Sequence, residues 1–246
     1  MANLIQCCFK RYEKKYWLTA AQQDALLTAM RPYMIPDRYG RYTICNLYYD
    51  TPDYRLIRAS LEKPVYKEKL RVRSYGVPEA DGTVFVELKK KYDGVVYKRR
   101  VTAPLPAVGP FLTGGLSAVP FGQIGREIAY FQSLYHTEPK VFIGYDRLAF
   151  AGRDDPELRI TFDTGLRWRS AALDLRAGDY GAPLRPDGRV LMEIKIPGVC
   201  PLWLGRLLSE IGAFPTSFSK YGACYCEHLM GDAASRNEQK EEIYCA

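Results

Sequence analysis

The residues of this chain that could do chemistry are mostly cations placed at every second position. Lys67, Lys69, Arg71 and Arg73 form the clearest run, and the same spacing recurs in Glu13 and Lys15 (with Arg11 before them), in Glu87, Lys89 and Lys91, and in Lys98 and Arg100. It recurs again in Tyr145 and Arg147, in Arg159, Thr161 and Asp163, in Arg167 and Arg169, and in Glu193 and Lys195. Side chains two apart on a strand point the same way, so about eight strands carry one charged face and one apolar face. A half-exposed antiparallel sheet with a solvated outer face gives the same pattern. Like charges on neighbouring strands repel, however, and a surface built only for solubility mixes its signs more evenly than Lys67 to Arg73 does. A multivalent anion reverses that penalty, and carboxylates set among the cations could hold a divalent metal beside it.

Other chemistries have little support. The seven cysteines (Cys7, Cys8, Cys45, Cys200, Cys224, Cys226, Cys245) and two histidines (His136, His228) show no zinc-ligand spacing, and no nucleophile motif accompanies them. An odd number of thiols in a chain large enough to fold without disulfides suits a reducing, cytoplasmic setting. The formal net charge of +7 points to an anionic partner without naming it. No apolar run is long enough to span a membrane, and the first residues lack the form of a secretory signal.

The elements that must position these side chains can be read along the 246 residues. Residues 11–18 read as a strand, and Thr19 to Gln22 forms a capping box for a helix that Pro32 ends. Residues 42–50 are a strand, and Thr51 with Pro52 opens a helix over 54–62. Strands follow at 66–75 and 83–92, and Asp93-Gly94 turns the latter into a strand over 95–101. Residues 102–122 read as a Pro/Gly-rich loop with at most one short helix, and 123–135 as a helix. Strands resume at 141–149, 158–163, 167–173 and 190–196. Helices are expected after Pro201, up to Gly212, and over 220–230. Residues 1–231 therefore form one domain, and 232–246 a polar tail. The helices carry apolar stripes, such as Leu204, Leu207, Leu208 and Ile211, that need the apolar face of the sheet. The expected fold is α+β: a closed antiparallel β-barrel with helices packed outside and the charged faces lining a tunnel.

In order along residues 9–229, several short stretches resemble the VTC domain, the catalytic domain of vacuolar transporter chaperone polyphosphate polymerases, within the triphosphate tunnel metalloenzyme (CYTH-like) superfamily. They are Arg11 to Trp17, Leu47 to Asp50, Lys69 to Gly76, Val86 to Lys89, Tyr145 to Arg147, Arg159 to Thr164, Met192 to Lys195 and Phe218 to Tyr221. The resemblance implies a barrel whose interior binds a triphosphate. It assigns phosphate binding to Lys15, Arg71, Arg73, Lys89, Lys98, Arg147, Arg159 and Lys220, with Tyr145 as a hydrogen-bond donor. Lys69 and Lys195 share the charged faces, and Arg58 matches a basic residue following the second helical segment. Lys15, Arg71, Arg73, Lys89, Arg147, Arg159 and Glu193 form the expected catalytic set. Glu193, and next Glu13, would hold a divalent metal, Mn²⁺ or Mg²⁺.

The implied activity is an ATP:polyphosphate phosphotransferase that moves the γ-phosphoryl of ATP onto a growing inorganic polyphosphate chain and releases ADP. The partners are then ATP and polyphosphate, with room for a separate membrane protein. Two alternatives stand beside it: a tripolyphosphatase or nucleoside triphosphatase of the same fold, and a non-catalytic polyphosphate-binding module. No nucleic acid is expected, although Tyr48, Tyr49 and Tyr92 could stack on bases, because carboxylates such as Glu193 repel its backbone. Two departures from the family are visible. Thr216-Ser217 stands where many members have a lysine before Phe-Ser-Lys. The first strand has Arg11-x-Glu13-x-Lys15 in place of two carboxylates and a lysine, which disfavours a hydrolytic two-metal site. Unlike the fungal members, the protein is expected to carry neither an inositol-phosphate-sensing domain nor a membrane anchor.

Overall fold

Alternation of charged and apolar side chains builds a ten-stranded antiparallel sheet. The computed structural model describes residues 12–231. Its strands are β1 (Tyr12–Leu18), β2 (Met34–Asp50), β3 (Tyr66–Tyr75), β4 (Thr83–Tyr92), β5 (Val95–Pro104), β6 (Glu138–Gly152), β7 (Arg159–Arg169), β8 (Ala182–Pro183), β9 (Val190–Ile196) and β10 (Pro215–Thr216). The helices are α1 (Ala20–Ala29), α2 (Arg55–Leu61), α3 (Leu105–Leu112), α4 (Gly122–Tyr135), α5 (Leu202–Glu210) and α6 (Lys220–Cys224), the last continued by a π-helical turn, Tyr225–Leu229. Arg11, Cys7, Cys8, Cys245 and the tail over 232–246 lie outside the described residues.

Local chemistry sets most of these boundaries. Thr19 caps α1 reciprocally, its hydroxyl accepting from the Gln22 N–H while Gln22 Oε1 accepts from the Thr19 N–H. Asp93 (φ 43°) and Gly94 (φ 81°) both adopt the left-handed conformation that a two-residue hairpin needs between β4 and β5. β2 is longer than its β-branched stretch predicts and begins at Met34, because residues 34–36 pair with the far end of β6. The two strands expected over 158–173 are one, β7, and the Pro/Gly-rich segment after β5 contains α3, with Pro106 tolerated in its first turn.

The apolar face of the sheet forms two cores under the helices. Leu70, Val72, Val86 and Leu88 pack with Val108, Phe111 and Leu112 of α3 and Ile128 and Phe131 of α4. Leu18, Ile160, Phe162, Met192 and Ile194 pack with Leu26 of α1, with Met30 just beyond it, and with Leu204 and Leu208 of α5. α6 is an exception to the expectation of helices packed outside. It lies on the opposite, concave face, where Tyr221 stacks on Tyr48 at 4.9 Å and joins Ile44, Val141, Ile143 and Tyr145. Among the described residues, no helix is long and apolar enough to cross a membrane.

The closed barrel is also corrected. The strand order is β10-β1-β9-β7-β6-β2-β3-β4-β5, with β8 on β7, and no pairing joins β5 back to β10 or β1 among the described residues. β10 is only two residues long and begins with Pro215, which has no N–H to donate. The sheet nevertheless curls until its charged faces meet: Lys89 of β4 lies 3.8 Å from Glu13 of β1, strands far apart in the order.

Asp50, fully buried at the end of β2, ties α2 and α6 to this sheet. Its carboxylate accepts from the N–H groups of Thr51 (2.8 Å), Leu56 (2.9 Å) and Ile57 (3.0 Å) and from the Tyr221 hydroxyl (2.9 Å). Asp50→Ala leaves those donors buried without an acceptor and should cost about 2 to 4 kcal/mol in urea unfolding. A loss below about 0.5 kcal/mol would show that α2 and α6 are held by packing alone.

Candidate active site: a concave wall of cations

Register places the charged residues in facing pairs. Arg71 lies opposite Glu87, Lys69 opposite Lys89, Arg147 opposite Asp163 and Lys15 opposite Glu193. Two buried carboxylates organise the cations around them. Glu87, 1% exposed, accepts from Arg71 Nε at 2.8 Å, lies 2.7 Å from Lys98 Nζ and pairs with Arg100, while Arg73 Nε stands 3.9 Å away. Burial alone would raise its carboxyl, but Arg71, Arg73, Lys98 and Arg100 together hold it far below the usual carboxylate range. Asp163 takes a bidentate fork from Arg147, at 2.6 and 2.7 Å, and a third contact from Lys220 Nζ at 2.6 Å. Burial lowers the Lys220 ammonium, yet Asp163 and Glu193 outweigh it and keep Lys220 charged.

Neutral groups fix the remaining guanidinium directions. Arg73 donates to Asn46 Oδ1 at 2.8 Å and to the Tyr145 hydroxyl at 3.1 Å, and Arg71 donates to the Tyr48 hydroxyl at 3.2 Å. Lys220 Nζ also lies 4.3 Å from the centre of the Tyr145 ring. Arg71, Arg73, Arg147, Lys220 and Tyr145 are thus set in one wall, where guanidinium forks and an ammonium can bind phosphate oxygens.

Two further carboxylates remain less tightly bound. Lys15 Nζ is 3.5 Å from Glu13 and 3.6 Å from Glu193, and Glu193 also faces Arg147 at 3.7 Å and Lys220 at 3.5 Å. Burial opposes ionisation of Glu193, but Lys220, Lys15 and Arg147 pull its carboxyl well below the usual range. Across the strand pair from Glu193 sits Thr161, whose buried hydroxyl has no hydrogen-bond partner. Among the described residues no group of three His, Cys, Asp or Glu could cage a metal. Two carboxylates with an unsatisfied hydroxyl nearby fit a cation that takes its other ligands from phosphate and water, as Mg²⁺ does.

From this wall a cavity of about 830 Å³ opens along the uncoupled edges of the sheet, lined by Glu13, Lys15, Lys67, Lys69, Lys89 and Lys91. Residues 217–219 cross it as a strap between β1 and β3. Lys15 of β1 donates to the Phe218 carbonyl at 2.7 Å, and Lys69 of β3 contacts Ser219 Oγ at 3.0 Å. Side chains and a strap therefore link β1 to β3 and β4, near the two ends of the sheet, where strand pairing does not.

Most residues singled out from the sequence converge here: Lys15, Lys69, Arg71, Arg73, Lys89, Lys98, Tyr145, Arg147, Glu193, Lys220 and Glu13. Lys195 lies beside them, opposite Glu13 and Arg159. Arg159 sits at the far end, 3.5 Å from Asp37. Arg58 does not converge. It pairs at the surface with Asp53 at 2.5 Å, on an exposed face of α2, and drops out of the phosphate-binding set. The sequence reading left Arg100, Ser219 and Thr161 out of the site, and left the roles of Glu87 and Asp163 open. Arg100 and Thr161 carried the right strand parity, whereas Ser219 lies in a strap without period and was marked only by the Phe218 to Tyr221 stretch, which assigns it no role.

The fold of this chain is similar to that of solved structures. A candidate adenylate cyclase from Bacillus halodurans superposes with a TM-score of 0.55 at 11% identity, over 87% of this chain and 96% of that one. A Hippeastrum candidate adenylyl cyclase with a dominant triphosphatase activity gives 0.48 at 18% identity, over 85% and 92%. Likeness at such identities is one of fold. The family comes from sequence: the VTC domain profile matches residues 10–228, and the chain belongs to the VTC domain family. No curated protein matches the chain.

Glu87→Gln removes the anion shared by four cations. The apo protein should lose about 2 to 4 kcal/mol of stability, and tripolyphosphate should raise its melting temperature more than that of wild type, because the ligand now supplies the missing negative charge. Equal ligand-induced shifts in the two proteins would mean that Glu87 and phosphate do not compete for these cations.

Proposed function

We propose that this chain is a metal-dependent polyphosphate polymerase that transfers the γ-phosphoryl of ATP to the end of an inorganic polyphosphate chain and releases ADP. Membership of the VTC domain family supports the reading. The observation that carries it is the length of the cationic row. Lys67, Lys69, Arg71 and Arg73 extend over about 20 Å at the rise of a β-strand, more than one triphosphate occupies, and the row runs from the buried wall into the open cavity. Donor and growing chain can then lie end to end.

The catalytic roles follow from this geometry. Arg71, Arg73, Arg147 and Lys220 hold the phosphates of the donor in the buried wall, and Tyr145 adds a hydroxyl contact. Lys15, Lys69 and Lys89 guide the acceptor chain, and Lys67 and Lys91 extend its path to the surface. Phosphoryl transfer needs little covalent work from a protein, and alignment plus charge stabilisation supply the rate. A bound divalent cation, Mn²⁺ or Mg²⁺ held by Glu13 and Glu193, would neutralise charge on the phosphate oxygens. The described cysteines Cys45, Cys200, Cys224 and Cys226 are free thiols, which supports placing the protein in a reducing cytoplasm.

Glu193→Gln should lower turnover about 100-fold or more at saturating metal while tripolyphosphate binding by calorimetry stays within a few-fold, because the cations remain. Turnover within about threefold of wild type would take Glu193 out of the metal site.

The acceptor is tested by following ADP, free phosphate and polymer in a single reaction with ATP and Mn²⁺. Acid-labile polymer should account for the phosphate lost from ATP, and a short polyphosphate primer should shorten any lag. Free phosphate equal to ADP, with no polymer at any primer concentration, would make the enzyme a triphosphatase.

A further inference from the structure

Ser219, a hydroxyl in the strap, has both chain neighbours pinned. The Phe218 carbonyl is held by Lys15, and Lys220 is held by Asp163. Its own Oγ accepts the Gly222 N–H at 3.2 Å and lies 3.0 Å from Lys69 Nζ. A serine hydroxyl has two lone pairs and one proton, so with Gly222 on one lone pair the other lone pair and the proton are left for Lys69 and the cavity. Lys69 and Ser219 both line the cavity.

The charged groups that act most strongly on Lys69 are Lys89 of β4, Lys67 on its own strand and Lys15 of β1, opposed by Asp50 of β2, and Glu13 and Glu227 line the same cavity. Burial and the three lysines push its ammonium down to about 7. Near neutral pH, Lys69 therefore exchanges between a donor to Ser219 and a base that can take the hydroxyl proton.

We infer that Ser219 accepts a phosphoryl group from ATP with Lys69 as general base, and that the resulting phosphoserine is the first acceptor of a new polyphosphate chain. The inference rests on the proposed use of ATP. Ser219 Oγ forms a bond to the γ-phosphorus, and the bond from that phosphorus to the β,γ-bridging oxygen breaks. The bridging oxygen leaves with the electron pair as part of ADP, and the hydroxyl proton passes to Lys69 Nζ. Nothing is oxidised or reduced. A serine is a weak nucleophile unless a base stands beside it, and a lysine fills that role in Ser-Lys catalytic pairs. The step places a phosphate dianion among Lys15, Lys67, Lys69 and Lys89 as Lys69 regains its charge. An oxygen of that phosphate then attacks the next γ-phosphoryl.

The test uses the whole protein with ATP labelled on the γ-phosphate, Mn²⁺ and no primer. The denatured protein should retain acid-stable label, mapped by tandem mass spectrometry to Ser219, and labelling should rise from about pH 6 to about pH 8 as Lys69 loses its proton. Ser219→Ala should carry no label there, and Ser219→Thr, which keeps both the hydroxyl and the cap of α6, should carry it as phosphothreonine. Lys69→Arg keeps the charge but cannot act as a base, and should reduce labelling about tenfold or more. ADP and polymer formed without label at Ser219 at any pH would overturn the inference and leave the polymerase standing. Label confined to other residues, or undiminished in Lys69→Arg, would also overturn it. Absence of both ADP and label would remove the polymerase reading and this inference together.

Discussion

The concave face must keep its own cations from forcing it apart. Arg71, Arg73, Lys98 and Arg100 converge on Glu87, and Arg147 and Lys220 converge on Asp163, each carboxylate almost fully buried. Ion pairs of this kind contribute little net stability relative to an apolar core, because desolvation offsets much of the attraction. Their value is positional. Arg71 and Arg73 are fixed by Glu87 at one edge and by Tyr48, or by Asn46 and Tyr145, at another, and Arg147 is held by both oxygens of Asp163, so their free donors are oriented before any anion arrives.

That constraint also explains the open sheet. Full closure by hydrogen bonds would bring every charged strand together without a gap, and Lys67, Lys69, Lys89 and Lys91 do not converge on one carboxylate as the cations around Glu87 do. Where these lysines crowd, β1 and β3 are linked across the gap by Lys15, Lys69 and the strap over 217–219. The resulting cavity lets water screen lysines whose nearest carboxylates stay at 3.5 Å or more. Depth follows the strength of pairing: Arg73, Arg147 and Lys220, held by Glu87 or Asp163, are buried, and Lys67, Lys69, Lys89 and Lys91 line the opening.

Much of this was legible in the sequence, and the physical reason is the period of two. The face shared by Lys67, Lys69, Arg71 and Arg73 needed only strand geometry, and β3, β4 and β9 have the boundaries that their alternation predicts. Helix α1 was legible because Thr19 and Gln22 cap it through local bonds. What the sequence hid depends on residues distant along the chain. Whether the edges close depends on how little of β10 can pair, and the side of the sheet that α6 takes depends on Tyr221 finding Tyr48 and Asp50. Arg58 was misplaced for a related reason: its match was to a position, and the local ion pair with Asp53 decides where the side chain goes.

Glu87 and Asp163 show why a site of this kind resists assignment by residue type. From sequence, both fit a metal ligand and a structural partner equally well, since each is an inward carboxylate among cations. Geometry separates them from Glu13 and Glu193. A carboxylate already holding three or more contacts from cations, as Asp163 and Glu87 do, has few lone pairs left and would give up strong contacts to take a metal. Glu13 and Glu193 keep contacts of 3.5 Å or longer to the lysines between them, and the unsatisfied Thr161 hydroxyl stands opposite Glu193. The same division of labour runs through the whole wall: the tightest pairs hold the shape, and the loosest leave the capacity to bind.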